Sequence, residues 1–201
     1  MAGAEQAQAE WTVFGVRPAM HAHPRRIVHA CGGLISEDVA VLLGSDQRFS
    51  DRLSALLVDA YGLSPTGEGD PAVAPLALAP ADRLEAIVRQ AGAVYWARAI
   101  VGQIDSSTVT AIKLMLGEES YAAAIAHRDL AGADVELPPL DAFEAAVMDA
   151  GYRCLAAWCA RQPPGTAQRM RLKFAEDNAF DEPVAPPFDE AGASIVERLT
   201  M

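Results

Sequence analysis

The sequence predicts a mainly α-helical protein: a compact multi-helix domain with a small N-terminal helical unit and at most a minor strand pair. The first observation is composition, because apolar residues, many of them alanine, make up 51% of the 201 residues, and alanine is the strongest helix former. The second is a repeat of apolar residues at three- and four-residue spacing after Pro80, typical of one helix face. The third is the presence of helix-capping residues, Ser36 and Asp105, ahead of apolar stretches.

The central stretch, residues 80–130, predicts three successive helices. The first is expected over 81–104, the second over 105–117 and the third over 118–130. Pro80 suits a first helical turn, because its missing N–H would have no partner there. Seven residues on the apolar faces of these helices and of a later one are expected in the core: Leu84, Ile87, Val88, Ile112, Leu116, Phe143 and Trp158.

The flanking regions predict further elements, about eight helices in all. Two helices are expected over 36–44 and 45–62 and a long one over 140–160, and a final short helix is expected near the C-terminus. Thr12–Val16 alternates weakly between apolar and polar residues, and Arg169–Phe174 alternates more clearly. This period-two pattern is typical of strands, so the two segments are the expected strand pair.

The domain organisation is expected to be simple. Residues 1–10 are small and polar and predict a flexible N-terminus. Residues 11–201 are expected to form a single helical domain, which can divide into two lobes, 11–63 and 80–201. The Pro-, Gly- and Ala-rich loop 64–79 would join these lobes as a surface connection.

Charge and hydropathy restrict the class of protein. Asp and Glu number 27 against 16 Lys and Arg, so the net charge is −11. Such a chain repels a phosphate backbone, and we expect no nucleic-acid partner. The N-terminal residues lack the pattern of a secretory signal, and no uncharged apolar run approaches the roughly 20 residues of a membrane span. We therefore expect a cytosolic protein without membrane insertion, with buried free thiols.

Catalytic motifs are not found in the sequence. It contains no phosphate-binding glycine loop, no Gly-x-Ser-x-Gly and no His-Glu-x-x-His. We therefore expect neither an enzyme nor a bound cofactor.

Three of the four histidines, His21, His23 and His29, fall close together. Imidazole nitrogens are common metal ligands, so a small metal-dependent hydrolase that uses this cluster is an alternative hypothesis. The neighbouring Arg25 and Arg26 would oppose a bound cation. The favoured interpretation is structural, with a side-chain nitrogen such as that of His23 binding backbone groups where the chain turns after a proline.

Arg25 and Arg26 are the densest basic spot in this acidic chain. They are either part of a solvated loop or a contact for an acidic partner surface. A protein that holds two partners needs a second face as well, which the longer helices ending in the loops 64–80 and 131–139 can supply. Reversing both arginines to Glu is expected to weaken one contact while the fold survives.

Several features of the chain, taken in order, resemble a known family. They are the pattern FxxxPAxxxH from Phe14 to His23, the dipeptide Pro75-Leu76, the helix over 84–94 and the stretch LGEESYA over 116–122. Together they resemble the K component of bacterial type III secretion systems, the SctK/YscK family. The order of the features matches over about residues 11–175, and the Pro-to-His spacing and the helix that begins at Leu84 are the more specific parts.

The resemblance implies a non-catalytic cytosolic adaptor in the sorting platform beneath the injectisome base. Such a protein links the cytosolic domain of the inner-membrane ring protein, the D component, to the Q component, and through Q to the L component and the ATPase. It would lie peripherally at the cytosolic face of the inner membrane when assembled and would be a monomer alone. A type III secretion chaperone is the other alternative, since chaperones are also helical and acidic, although usually shorter and dimeric.

Overall fold

The computed structural model describes residues 2–70, 72–132, 136–176, 179–184 and 186–201, with only the backbone for residues 2–4. Within these residues the chain forms twelve α-helices and no strand, which confirms the mainly α prediction. The helices are α1 (Ala2–Val16), α2 (Pro24–Ala30), α3 (Glu37–Ser45), α4 (Gln47–Tyr61), α5 (Ala74–Ala77), α6 (Ala81–Tyr95), α7 (Ala97–Val101), α8 (Ser106–Leu116), α9 (Glu118–Ala126), α10 (Leu140–Ala160), α11 (Pro164–Leu172) and α12 (Phe188–Thr200). The described residues also form two 3-10 helices, Pro18–Met20 and Arg128–Leu130.

The expected strand pair is wrong, because Thr12–Val16 lies in α1 and Arg169–Phe174 lies largely in α11. In α1 the buried residues Trp11 and Phe14 are three apart, which is helical spacing. At the end of α11 the alternating basic and apolar residues do not divide into an exposed set and a buried set, because Lys173 is as buried as its apolar neighbours. The period-two pattern therefore arose where a buried lysine directly follows the last residue of a helix.

Helix ends follow the capping residues that the sequence contains. The N–H of Val39 donates to Ser36 Oγ at 3.4 Å, and the N–H of Thr108 donates to Asp105 Oδ2 at 2.7 Å. Gly62 ends α4 with a φ of 58°, the left-handed conformation that favours glycine. These local signals therefore placed the starts of α3 and α8 and the end of α4.

The single helix predicted over 81–104 is two helices in the structure. Trp96, with φ −87° and ψ 6°, separates α6, which ends at Tyr95, from α7, which begins at Ala97. Its indole N–H donates to the carbonyl oxygen of Ala146 at 3.3 Å. Ile104 is 98% exposed, so the single helix expected to reach this residue is wrong.

The chain is organised as two compact units. The first comprises Met1–Ala81 and Gln162–Asp177. Its core contains Ala19, Ile27, Ala40, Leu53, Leu57, Leu63 and Leu172. Leu76 and Ala77 are also buried, within the short helix α5, so the interpretation of 64–79 as a surface connection is wrong for this part. Val73 and Ala79 are buried as well, so a segment whose composition is typical of a loop contributes four apolar residues to the interior.

The second unit comprises Asp82–Arg161 and Asn178–Met201. All seven residues expected in the core lie in it, and each is exposed by 4% or less, which confirms that prediction. The C-terminal helix α12 packs on α10 in this unit. At its start Phe188 stacks on Tyr95, with ring centroids 4.4 Å apart.

Helices α6 and α10 approach each other closely at two glycines. A Cβ atom built on Gly92 would overlap the carbonyl of Val147, and one built on Gly151 would overlap the carbonyl of Val88. The contact residues are four apart on both helices, which is the spacing of the ridges that interdigitate in helix packing. The backbones can meet at this distance only because both positions lack a side chain.

Candidate partner-docking site

The segment between α1 and α2 is built by proline and histidine. Pro18 begins the first 3-10 helix and Pro24 is the first residue of α2, positions where a missing N–H has no cost. His23 caps α2, since the N–H of Arg25 donates to its Nδ1 at 3.2 Å. The N–H of His23 itself donates to the carbonyl of Leu172 at 2.7 Å. His23 therefore binds backbone groups, as expected for a structural role.

The two neighbouring arginines have different environments. The Arg25 side chain is 55% exposed, and its Nε lies 3.1 Å from the Glu37 carboxylate, which is itself 54% exposed. Arg26 is 5% exposed as a residue. They lie on different sides of α2 because adjacent residues of a helix point about 100° apart. Partner binding by the pair stays a prediction, and Arg25 is the one of the two whose side chain is exposed.

Arg26 holds the end of the first unit's second segment. Its Nε donates to the carbonyl of Phe174 at 3.0 Å and an Nη to that of Ala175 at 3.4 Å, and the other Nη lies 3.4 Å from a carboxylate oxygen of Glu176. The Tyr61 hydroxyl donates to the same carboxylate oxygen at 2.5 Å, and its pKa is raised by burial and by this bond. Only Arg25 can therefore be reversed in charge without disturbing a buried network.

The remaining histidines of the cluster face different groups. His29 Nδ1 lies 3.5 Å from a carboxylate oxygen of Glu176. The ring of His21 instead packs 5.9 Å from that of Phe14, and its buried Nε2 has no hydrogen-bond partner within the described residues. Among the described residues, no group of three or more His, Cys, Asp or Glu is placed to hold a metal ion. The arrangement does not support the hydrolase hypothesis, because His21, His23 and His29 do not converge.

Lys173 is a buried cation that the sequence does not reveal. Its ammonium donates to the carbonyl of Ala79 at 2.6 Å and lies 5.5 Å from the centre of the Phe14 ring. Burial lowers its pKa to about 8. Burial, together with the charge of Lys173, also lowers the pKa of His21 to about 4. The only signal in the sequence was the alternation of basic and apolar residues in this segment, which we interpreted as a strand.

We expect the His21 environment to make stability depend on pH. The imidazole has a pKa of about 4 in the folded chain and about 6.5 in the unfolded chain. Between these values the unfolded state binds more protons, so the free energy of unfolding falls as the pH falls, with a limiting slope of about 1.4 kcal/mol per pH unit. Urea unfolding between pH 7 and 4.5 should show a weaker fall for His21→Gln than for the natural chain. Identical pH dependence of the two proteins would contradict this assignment.

The second partner-binding face that the sequence predicts, at the loops 64–80 and 131–139, lies only partly within the described residues. Residues 133–135 of the loop 131–139 lie outside the described residues. In the segment 64–80, the indole N–H of Trp11 donates to the carbonyl of Gly67 at 3.0 Å. This bond, with the buried residues of α5, ties the segment to its own unit, so it offers less free surface than its composition indicates.

Comparison with known proteins identifies a family. The family model described as YOP proteins translocation protein K (YscK) matches residues 21–201, nearly the whole chain. Neither the curated proteins nor the solved structures gave a match. Among the described residues, none of the helices combines the length and the apolar composition that a membrane span requires.

Proposed function

Because the chain belongs to the YscK family, we propose that it is a non-catalytic adaptor of a type III secretion sorting platform. Membership makes it a component of the type III secretion machinery. In the proposed role it docks to the cytosolic domain of the D component and recruits the Q component, and through Q the L component and the ATPase. The observation that carries the proposal is the family match over residues 21–201.

Two features of the chain support an adaptor role. An adaptor holds two partners at once and so needs two surfaces, and the chain contains two compact units, each with its own apolar core. The net charge of −11 favours protein partners over nucleic acid. We place the protein at the cytosolic face of the inner membrane when it is assembled, and as a monomer when it is alone.

The proposal is tested in cells that carry the whole secretion cluster and a fluorescent Q component. Deleting the gene for this chain should abolish both effector secretion and the Q foci at the membrane, and the intact gene supplied in trans should restore both. Secretion and foci that persist unchanged in the deletion strain would rule out the adaptor role. Loss of secretion with foci retained would place the protein after Q recruitment and contradict the proposed link.

A further inference from the structure

Helix α1 is attached to the first unit by few residues. Residues 5–10 are exposed, and in the rest of the helix only Trp11, Phe14 and Gly15 are buried. The free energy needed to open a segment locally depends on the buried contacts that the segment makes. We therefore expect α1 to open more readily than the helices that form the core of this unit.

The buried ring of Phe14 in α1 covers two basic groups. The Lys173 ammonium lies 5.5 Å from the centre of this ring, and the His21 ring lies 5.9 Å from it on centroids. On α11, the guanidinium of Arg169 donates to the carbonyl of Gly15 and is also positive. A proton added to His21 would therefore create a second positive charge beside Lys173 under the same ring.

Within the described residues, no carboxylate around His21 is placed to offset this charge. Glu10 lines the same cavity of about 260 Å³ as His21, but it is exposed and already accepts a side-chain amide of its own helix at 2.8 Å. On α4, which packs against the preceding 3-10 helix, Asp51 is paired with Arg17 at 2.7 Å. The second half of α3, beside residues 19–22, has no titratable side chain. Protonation of His21 is therefore unfavourable as long as α1 stays in place.

We propose that α1 is an acid-sensitive latch on the first unit, in which protonation of His21 favours a state with α1 separated and the other helices of the unit still folded. Separation removes the Phe14 ring, so that water reaches both His21 and Lys173. A proton that binds the separated state more tightly shifts the population toward it. The inference goes beyond the proposed function, because it does not depend on which proteins the chain binds.

The test is amide hydrogen exchange of the purified full chain at pH 7 and pH 5, corrected for the intrinsic effect of pH on exchange. The pKa of His21 is about 4 when α1 is in place and returns to about 6.5 when it is exposed. The open fraction of residues 11–16 should therefore rise about 20-fold between pH 7 and pH 5. These amides should also be less protected than those of α4 at both pH values. Equal protection of the two helices would show that α1 opens only with the whole unit and would overturn the latch.

Histidine variants identify the group that binds the proton. His21→Gln should leave the open fraction of α1 nearly equal at pH 7 and pH 5, and His21→Leu, which suits the apolar cavity, should do the same. The matched control is His29→Gln in the same unit, since the His29 side chain is 61% exposed and its loss should leave the 20-fold rise unchanged. A full rise in both His21 variants, or its loss in His29→Gln, would contradict the inference. Protection of the α4 amides shows in each case that the unit is folded.

Discussion

Replacing Gly92 with alanine is expected to lower the free energy of unfolding by about 3 kcal/mol or more, the upper range for overpacking a core. The added methyl group would overlap the carbonyl of Val147, where α6 and α10 cross, and backbone cannot move aside as a flexible side chain can. Gly151→Ala should have a similar effect, since its Cβ would meet the carbonyl of Val88. Urea unfolding followed by circular dichroism measures the change.

The sign of this effect distinguishes packing from helix propensity. In a helix that is not crowded, glycine to alanine stabilises by about 1 kcal/mol, so a gain in stability at Gly92 would contradict the close crossing. Gly67→Ala is the control, because a Cβ there would have no atom within 4 Å. We expect it to leave the free energy of unfolding nearly unchanged.

Replacing Arg26 with methionine is expected to destabilise the protein by about 1–3 kcal/mol, because backbone carbonyl groups at the end of the segment lose their donor. The Glu176 side chain, which Arg26 also contacts, is 32% exposed, so water can take the place of this partner. Methionine keeps the apolar length of the side chain but removes the donors to the carbonyls of Phe174 and Ala175 and to the Glu176 carboxylate. Thermal and denaturant unfolding would both report the loss.

The neighbouring residue offers a matched control for this experiment. Arg25→Met removes the same charge one position earlier, but its pair with Glu37 is half exposed, so the expected loss is about 0–1 kcal/mol. Equal losses for the two variants would show that Arg26 does not hold the end of the segment. The comparison also separates a stability effect at Arg26 from a partner-binding effect at Arg25.

The sequence was sufficient for the helical class, for several helix ends and for the core of the second unit. Ser36, Asp105 and Gly62 mark the helix ends because a cap depends only on residues within one turn. Leu84, Ile87 and the other core residues could be assigned because apolar spacing along a helix reports which face is buried. The family resemblance could be seen for a related reason, since the order of motifs is itself a property of the sequence.

The candidate site could be predicted only in part. The sequence identified the basic pair Arg25 and Arg26 but not which of the two is buried. The carbonyl group that accepts from Arg26 Nε lies 148 residues further along the chain, so nothing near Arg26 in the sequence reveals it.

Only the tertiary structure decided where charged and small residues lie. Lys173 and Arg26 are buried because carbonyl and carboxylate oxygens from distant segments satisfy their donors, and such partners cannot be identified from local patterns. Gly92 and Gly151 likewise acquire their role only where α6 meets α10. Apolar periodicity and helix capping depend on residues within one or two helical turns, so both can be recognised in the sequence. The burial of a charge and the close approach of two backbones depend on residues that only folding brings together.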